Sequence, residues 1–198
     1  MNPEQYLPLI AFTVVMIGTP GPNNLMLMSA GANFGFRRSI PHILGIGVGC
    51  QVLLWAIALG LGQLLETYPQ AALLLKACGG IFLLYMAYQL ARPRKSNLQV
   101  DREVKPLTFL QAALFQWVNP KAWLMFVTAI STFSNRENFF VSVLTIAVMF
   151  FFMGFPLISA WNIGGVALKS WLQQGQRLLR FNRAMAVLLL LSMYPMMV

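Results

Sequence analysis

The sequence predicts an all-α membrane protein: six transmembrane helices arranged as two inverted-topology three-helix repeats, with the first and fourth helices broken at proline motifs. Three observations carry that expectation. Of the 198 residues, 58% are apolar and only 10% charged, against roughly 45–50% and 25% in a soluble domain. Charge is nearly absent from six long stretches, and a spanning helix needs about 20 apolar residues. Helix-breaking residues then recur inside two of those stretches, about 100 residues apart.

The first stretch, Gln5 to Phe36, contains no Lys, Arg, Asp or Glu. It lacks a basic start and an A-x-A cleavage site, so it reads as a retained span and not as a signal peptide. Midway it carries Thr19, Pro20, Gly21, Pro22, Asn23 and Asn24. Proline removes a backbone donor and clashes with the preceding turn, while glycine tolerates dihedrals that others avoid. In hydrocarbon each unpaired backbone group costs several kcal/mol. A break of this kind survives only where it is buried in protein or lines a cavity, which makes it a candidate binding site.

The second stretch runs from Ser39 to Leu65, with Pro41 just inside it and the only histidine, His42, near its start. A lone histidine there reads first as a solvated or capping residue, with proton carriage as the alternative. Gly45 and Gly49, then Ala56 and Gly60, repeat at four-residue spacing, as do Gly31 and Gly35 in the first span, and such pairs allow close helix approach. The third stretch, Thr67 to Ala91, opens at Pro69 and is closed by Pro93, and its one charge, Lys76, is placed to snorkel.

A polar linker at about 92–106 separates repeat 1, about 1–91, from repeat 2, about 107–198, within a single integral membrane domain. The fourth stretch, Pro106 to Asn135, repeats the interruption at Asn119, Pro120 and Lys121. From Pro20 to Arg37 is 17 residues and from Pro120 to Arg136 is 16. Since each half crosses three times, the second copy enters from the opposite side. Paired breaks in inverted halves point to a transporter site near the membrane midplane. The other reading is two unrelated kinks in packed helices. Asn138 to Leu168 and Ala184 to Val198 complete the six.

The net charge of +9 is distributed one-sidedly. One face receives Arg37, Arg38, Arg92, Arg94, Lys95, Arg102, Lys105, Lys169, Arg177, Arg180 and Arg183, and the other only Arg136. By the positive-inside rule both termini lie outside and the basic loops face the cytoplasm, where anionic lipid is their partner and nucleic acid is not. Tyr6, Tyr68, Tyr88 and Trp171 near the span ends read as interfacial anchors.

At the first break a helix restarting at Pro22 or Asn23 would offer free N–H groups to an anion, and the half-helix before Pro20 would offer carbonyls to a cation. A free amino acid carries both charges. Asn23, Asn24 and Asn119 add neutral polar groups, each also readable as a helix cap. Lys121 is costly in the bilayer core unless partnered, so it either neutralises a carboxylate or bonds the free carbonyls, the alternative being a snorkelling lysine. Trp117, Trp123 and Phe126 flank the second break and wall a cavity or simply pack. Cys50 and Cys78 lie in apolar runs and read as buried small side chains. With one histidine, two separated cysteines and no intramembrane carboxylate, the chain supplies no metal set, acid–base pair or nucleophile triad, so no enzyme activity, cofactor or metal is expected.

Thr19-Pro20-Gly21-Pro22-Asn23, then Gly35-Phe36-Arg37-Arg38, then Asn119-Pro120-Lys121, resemble the LysE/RhtB family of bacterial amino-acid exporters over essentially the whole chain. Val127 to Phe133 is similar to members that export cysteine and O-acetylserine. The resemblance implies a multi-pass inner-membrane protein that exports small neutral amino acids or their derivatives, driven by the proton gradient. Thr19 to Asn24 and Asn119 to Lys121 would then bind the substrate. A homodimer is compatible with the sequence. The competing functions are a non-transporting structural or assembly protein of the membrane and a passive pore.

Overall fold

Why two of the six stretches cannot be single helices is visible in the computed structural model, which describes residues 3–93 and 106–193. Most of the expected linker, with Arg94, Lys95, Asp101, Arg102, Glu103 and Lys105, lies outside the described residues, as does the end of the sixth stretch. Every regular element among the described residues is helical. The first stretch forms two helices of 13 residues, α1 (Tyr6–Gly18) and α2 (Pro22–Phe34). Each is about 20 Å long by helical rise, short of a roughly 30 Å hydrocarbon core. The fourth stretch likewise divides into α6 (Phe109–Phe115), a 3₁₀ turn (Gln116–Val118) and α7 (Pro120–Phe133). Below, α3 is Phe36–Ala56, α4 Gly62–Thr67, α5 Pro69–Ala91, α8 Phe139–Leu172 and α9 Arg177–Leu191.

Among the described residues three continuous segments are long and apolar enough to cross a membrane: Phe36–Thr67, Pro69–Ala91 and Phe139–Leu172. The first joins α3 to α4 through a π-helical stretch, Ile57–Leu61. Gly60 sits there at φ 104°, and a Cβ on it would meet nothing within 4 Å. It is therefore a kink residue, not the helix-packing residue expected from its spacing with Ala56. Gly35 departs from expectation in the same way, since at φ 87° it makes the sharp turn between α2 and α3. The sixth element starts inside the basic region, at Arg177, because Arg177, Arg180 and Arg183 occupy the exposed face of α9 while Asn182, Met185, Ala186 and Leu189 are buried.

Gly31, Gly45 and Gly49 do serve close approach. A Cβ at Gly31 would overlap the carbonyl oxygen of Asn162 on α8, and one at Gly45 would overlap that of Phe109 on α6. At Gly49 it would come within 2.6 Å of the Ala113 backbone. Gly165, which lies against the Met28 carbonyl, completes the α2–α8 contact from the other side.

Two apolar clusters form the core. One gathers Leu9, Leu53, Leu54, Phe126, Ala129, Phe133, Val143, Ile146 and Phe150 from α1, the far part of α3, α7 and the start of α8. Its aromatic rings touch, with Phe126 and Phe150 centroids 5.3 Å apart and Phe12 and Phe133 5.7 Å apart. The other gathers Met26, Leu27, Ile43, Ile46, Leu83, Phe115, Ile158 and Leu189 around α2, the start of α3, α5, α6 and α9. Ile17 and Cys50 pack against both, so the two clusters meet at the level of the first break.

Cys50 is half-buried at this waist, whereas Cys78 is exposed on α5, contrary to the expectation that both cysteines are buried. The reason lies in α5, only 17% of whose apolar window is covered by protein. Lys76 is likewise exposed.

Candidate functional site

The carbonyls at the first break, among them Met16 O and Gly18 O, which Pro20 and Pro22 leave without helical donors, are met by an almost complete set of hydrogen bonds. Thr19 N donates to Val15 O at 3.0 Å and Thr19 Oγ1 to Met16 O at 3.3 Å. Asn24 Nδ2 donates to both Ile17 O (2.7 Å) and Thr19 O (2.8 Å), and Trp161 Nε1 to Gly18 O (3.2 Å). Lys121 Nζ donates to Thr19 O at 2.7 Å and to Thr19 Oγ1 at 2.8 Å. This corrects the expectation that the carbonyls stand free for a ligand's cation. Carbonyls at a helix break within hydrocarbon need donors at all times, so the chain supplies its own.

Asn24 is thus a structural donor, with both amide hydrogens committed to the break. Asn24→Ala is expected to lower stability by about 0.5–1.5 kcal/mol, the net worth of a hydrogen bond, because Ile17 O loses its donor while Thr19 O keeps Lys121 Nζ, read as a lower thermal-unfolding midpoint in detergent. An unchanged midpoint would contradict this assignment.

The second break differs. Asn119 caps α7: its Oδ1 accepts from Lys121 N at 3.2 Å, and Pro120 takes the first helical position. Trp123 Nε1 donates to Trp117 O at 2.8 Å, much as Trp161 serves Gly18. The helix restarting at the first break has no such cap. Gly21 precedes it, Pro22 has no N–H, and no side chain accepts from its first turn. Its positive end is left open.

Two polar ties join the breaks. Lys121 to Thr19 is one. The other is a reciprocal amide pair, in which Asn23 Nδ2 donates to Gln116 Oε1 at 2.8 Å and Gln116 Nε2 donates to Asn23 Oδ1 at 3.2 Å. Gln116 is fully buried, donates also to Ala112 O (2.8 Å) and accepts from Cys50 Sγ at 3.5 Å.

Between the breaks lies a cavity of about 70 Å³. Gly21, Pro22, Asn23, Asn24, Asn119 and Lys121 line it; Thr19, Pro20 and Pro120, the other expected site residues, do not. Thr19 and Pro20 are exposed and act on the site through Lys121. Met16, Ile46, Met125, Phe126, Phe150 and Ile158 form its apolar wall, with Cys50 and Gln51 on α3. Of the three aromatics flanking the second break, Phe126 lines the cavity, while Trp117 and Trp123 pack against the first core cluster. Gln116, Gln51 and Trp161 escaped the sequence reading. A signal existed for Gln116, an amide in an apolar run three residues before Asn119.

His42 is also corrected. It is 1% exposed, and neither ring nitrogen has a hydrogen-bond partner among the described residues, so it neither caps nor faces solvent.

The profile of the LysE type translocators matches residues 14–194 of this chain. The chain belongs to the LysE family. A LysE-type protein is a multi-pass membrane transporter and not an enzyme. Among its relatives is the cysteine/O-acetylserine efflux protein of Escherichia coli strain K12, 28% identical over 96% of this chain and 95% of that one. The efflux protein of the same name from Escherichia coli O139:H28 is 28% identical over 96% of both chains. That of Klebsiella pneumoniae is 30% identical over 67% of each. No solved structure matches.

Proposed function

We propose that this LysE-family protein exports small neutral amino acids of the cysteine and O-acetylserine kind across the bacterial inner membrane, driven by the proton gradient. The observation that carries the reading is the open positive end of α2 beside the Lys121 ammonium, both on one cavity wall. A carboxylate placed there meets backbone N–H groups, the helix dipole and a cation together. The contrast with α7 supports this choice of end, because Asn119 already occupies the equivalent position there.

The rest of the cavity fits an uncharged molecule. Among the described residues its lining includes no Asp or Glu to receive a cationic side chain, only the amides of Asn23, Asn24, Gln51 and Asn119. Its volume of about 70 Å³ corresponds to roughly five or six water positions. That suits a small amino acid better than a large one. The names of the relatives lend the same substrate class.

Six spans in inverted halves remain the architecture we favour, with α1 and α2 together forming the first crossing and α6 and α7 the fourth. Cross-packing supports it: α3 lies on α6 as α8 lies on α1, α2 lies on α8 as α7 touches α3, and α5 pairs with α9. The basic ends at Arg37, Lys169 and Arg177 are then cytoplasmic and both termini periplasmic. Rocking of the halves would open the apolar clusters alternately on either side of the cavity.

Uptake of labelled cysteine or O-acetylserine into inside-out membrane vesicles tests the proposal. Accumulation above the external concentration under an imposed proton gradient is expected. Equilibration without accumulation would mean a pore, and no substrate-dependent uptake a scaffold. Full activity in Asn23→Ala and Lys121→Ala together would contradict the site.

A further inference from the structure

Of the six buried side-chain polar atoms left without partners among the described residues, Thr13 Oγ1 on α1 stands apart and the other five gather together. Ser29 Oγ on α2, both ring nitrogens of His42 on α3, and Ser159 Oγ and Asn162 Oδ1 on α8 all lack one among the described residues. They share one layer of the molecule. The α2–α3 hairpin turns at Gly35, so Ser29, six residues before the turn, stands level with His42, seven after it. Asn162 joins the same layer, since its Nδ2 donates to Leu27 O at 2.8 Å and its backbone lies on Gly31. One turn along α3 from His42 come Ile46 and Gly47, which line the cavity, and on α8 Ser159 follows cavity-lining Ile158. The layer thus lies between the cavity and the basic end.

Each buried polar atom without a partner is costly, and a layer that tolerates several has a use for them in another arrangement. Water reaching these groups would satisfy all of them at once. Among them only His42 can carry a proton.

We propose that His42 is the proton-binding residue of this transporter. The inference rests on the transport reading above and supplies the coupling group it lacks. The step is simple: the lone pair of one ring nitrogen takes a proton from water, and the N–H bond formed is broken again when the proton returns to water on the other side. A neutral imidazole fits the packing of α2, α3 and α8. An imidazolium needs acceptors or water that this packing does not offer, so proton occupancy selects between packed and parted helices. The charged and titratable groups around it are few. On α3 itself they are Arg37, Arg38 and Cys50; α2 and α6 carry none, α7 has Lys121 in the cavity, and α8 has Lys169 beside Gly35.

His42 is the only histidine, so ¹⁵N-histidine labelling of protein without a polyhistidine tag gives one imidazole to follow by NMR in nanodiscs. Its ring should titrate reversibly, with a midpoint that moves by at least about 0.5 pH unit when O-acetylserine is added at saturation, as linkage requires of two ligands coupled through one conformational change. No titration, or one indifferent to substrate, overturns the proposal. In proteoliposomes His42→Gln should keep substrate counterflow and lose accumulation driven by a pH gradient; accumulation at the wild-type level overturns it. Should the variant be inert in both assays, the wild-type titration decides. Wild-type protein without counterflow of any amino acid would instead contradict the transport reading.

Discussion

Lys121→Met is expected to raise the substrate concentration needed for half-maximal transport by about 10-fold to 150-fold, the range that follows from losing about 1.5–3 kcal/mol, the worth of a hydrogen bond to a charged group. Methionine keeps the length and apolar stem of lysine but removes the ammonium. Two things then go together: the charge facing the open end of α2, and the donor to Thr19 O and Thr19 Oγ1 that ties the breaks. The effect is measured as the concentration dependence of uptake by inside-out vesicles, with protein amounts matched by immunoblot. Gly21→Ala should give a smaller effect of the same kind. A Cβ there would stand 2.8 Å from Lys121 Cδ and so push the lysine aside without removing its charge. A Lys121→Met variant with unchanged concentration dependence would mean that the lysine serves only the backbone of the first break.

Gly165→Val should prevent the protein from reaching its folded state. The clash is with backbone: a Cβ at Gly165 overlaps the Met28 carbonyl and comes within 2.9 Å of Ala32 N, and no flexible side chain can give way. Gly31 and Asn162 make the reciprocal contact, so the two helices have no room to separate locally without breaking the Asn162–Leu27 bond. Overpacking of ordinary cores costs about 1–3 kcal/mol, and this site should exceed that. Size-exclusion profiles of detergent extracts provide the check, with Gly164→Ala as control. That neighbouring glycine has nothing within 4 Å of its virtual Cβ, and its substitution should leave the profile unchanged. A monodisperse Gly165→Val protein with the wild-type unfolding midpoint would contradict the close α2–α8 packing.

What the sequence made readable is what it encodes locally. Proline and glycine inside apolar runs marked both breaks, and a lysine in such a run marked itself, because each is expensive in that setting whatever surrounds it. Pro22 and Pro120 at the first helical position follow from their own covalent structure. Unreadable features depend on partners far along the chain. The Asn23–Gln116 pair joins residues 93 apart and Trp161 caps a carbonyl 143 residues away. Nothing local says that Asn24 spends its amide on the break before it, or that the carbonyls expected to await a ligand are already filled. His42 looked interfacial because Arg37 and Arg38 precede it, yet the Gly35 turn folds α2 over it. Gly45 and Gly60 share the same kind of spacing, and only their neighbours separate a contact glycine from a kink glycine.

In the proposed site the substrate's carboxylate is held between the two breaks, at the start of α2 and at Lys121. Thermal stabilisation of the purified protein by O-acetylserine, compared with the analogue in which hydrogen replaces the carboxylate, tests it most directly. The unfolding midpoint should rise with O-acetylserine concentration, stay unchanged with the analogue, and stay unchanged with either compound in Lys121→Met. Equal stabilisation by the two compounds, or stabilisation that survives in Lys121→Met, would contradict it.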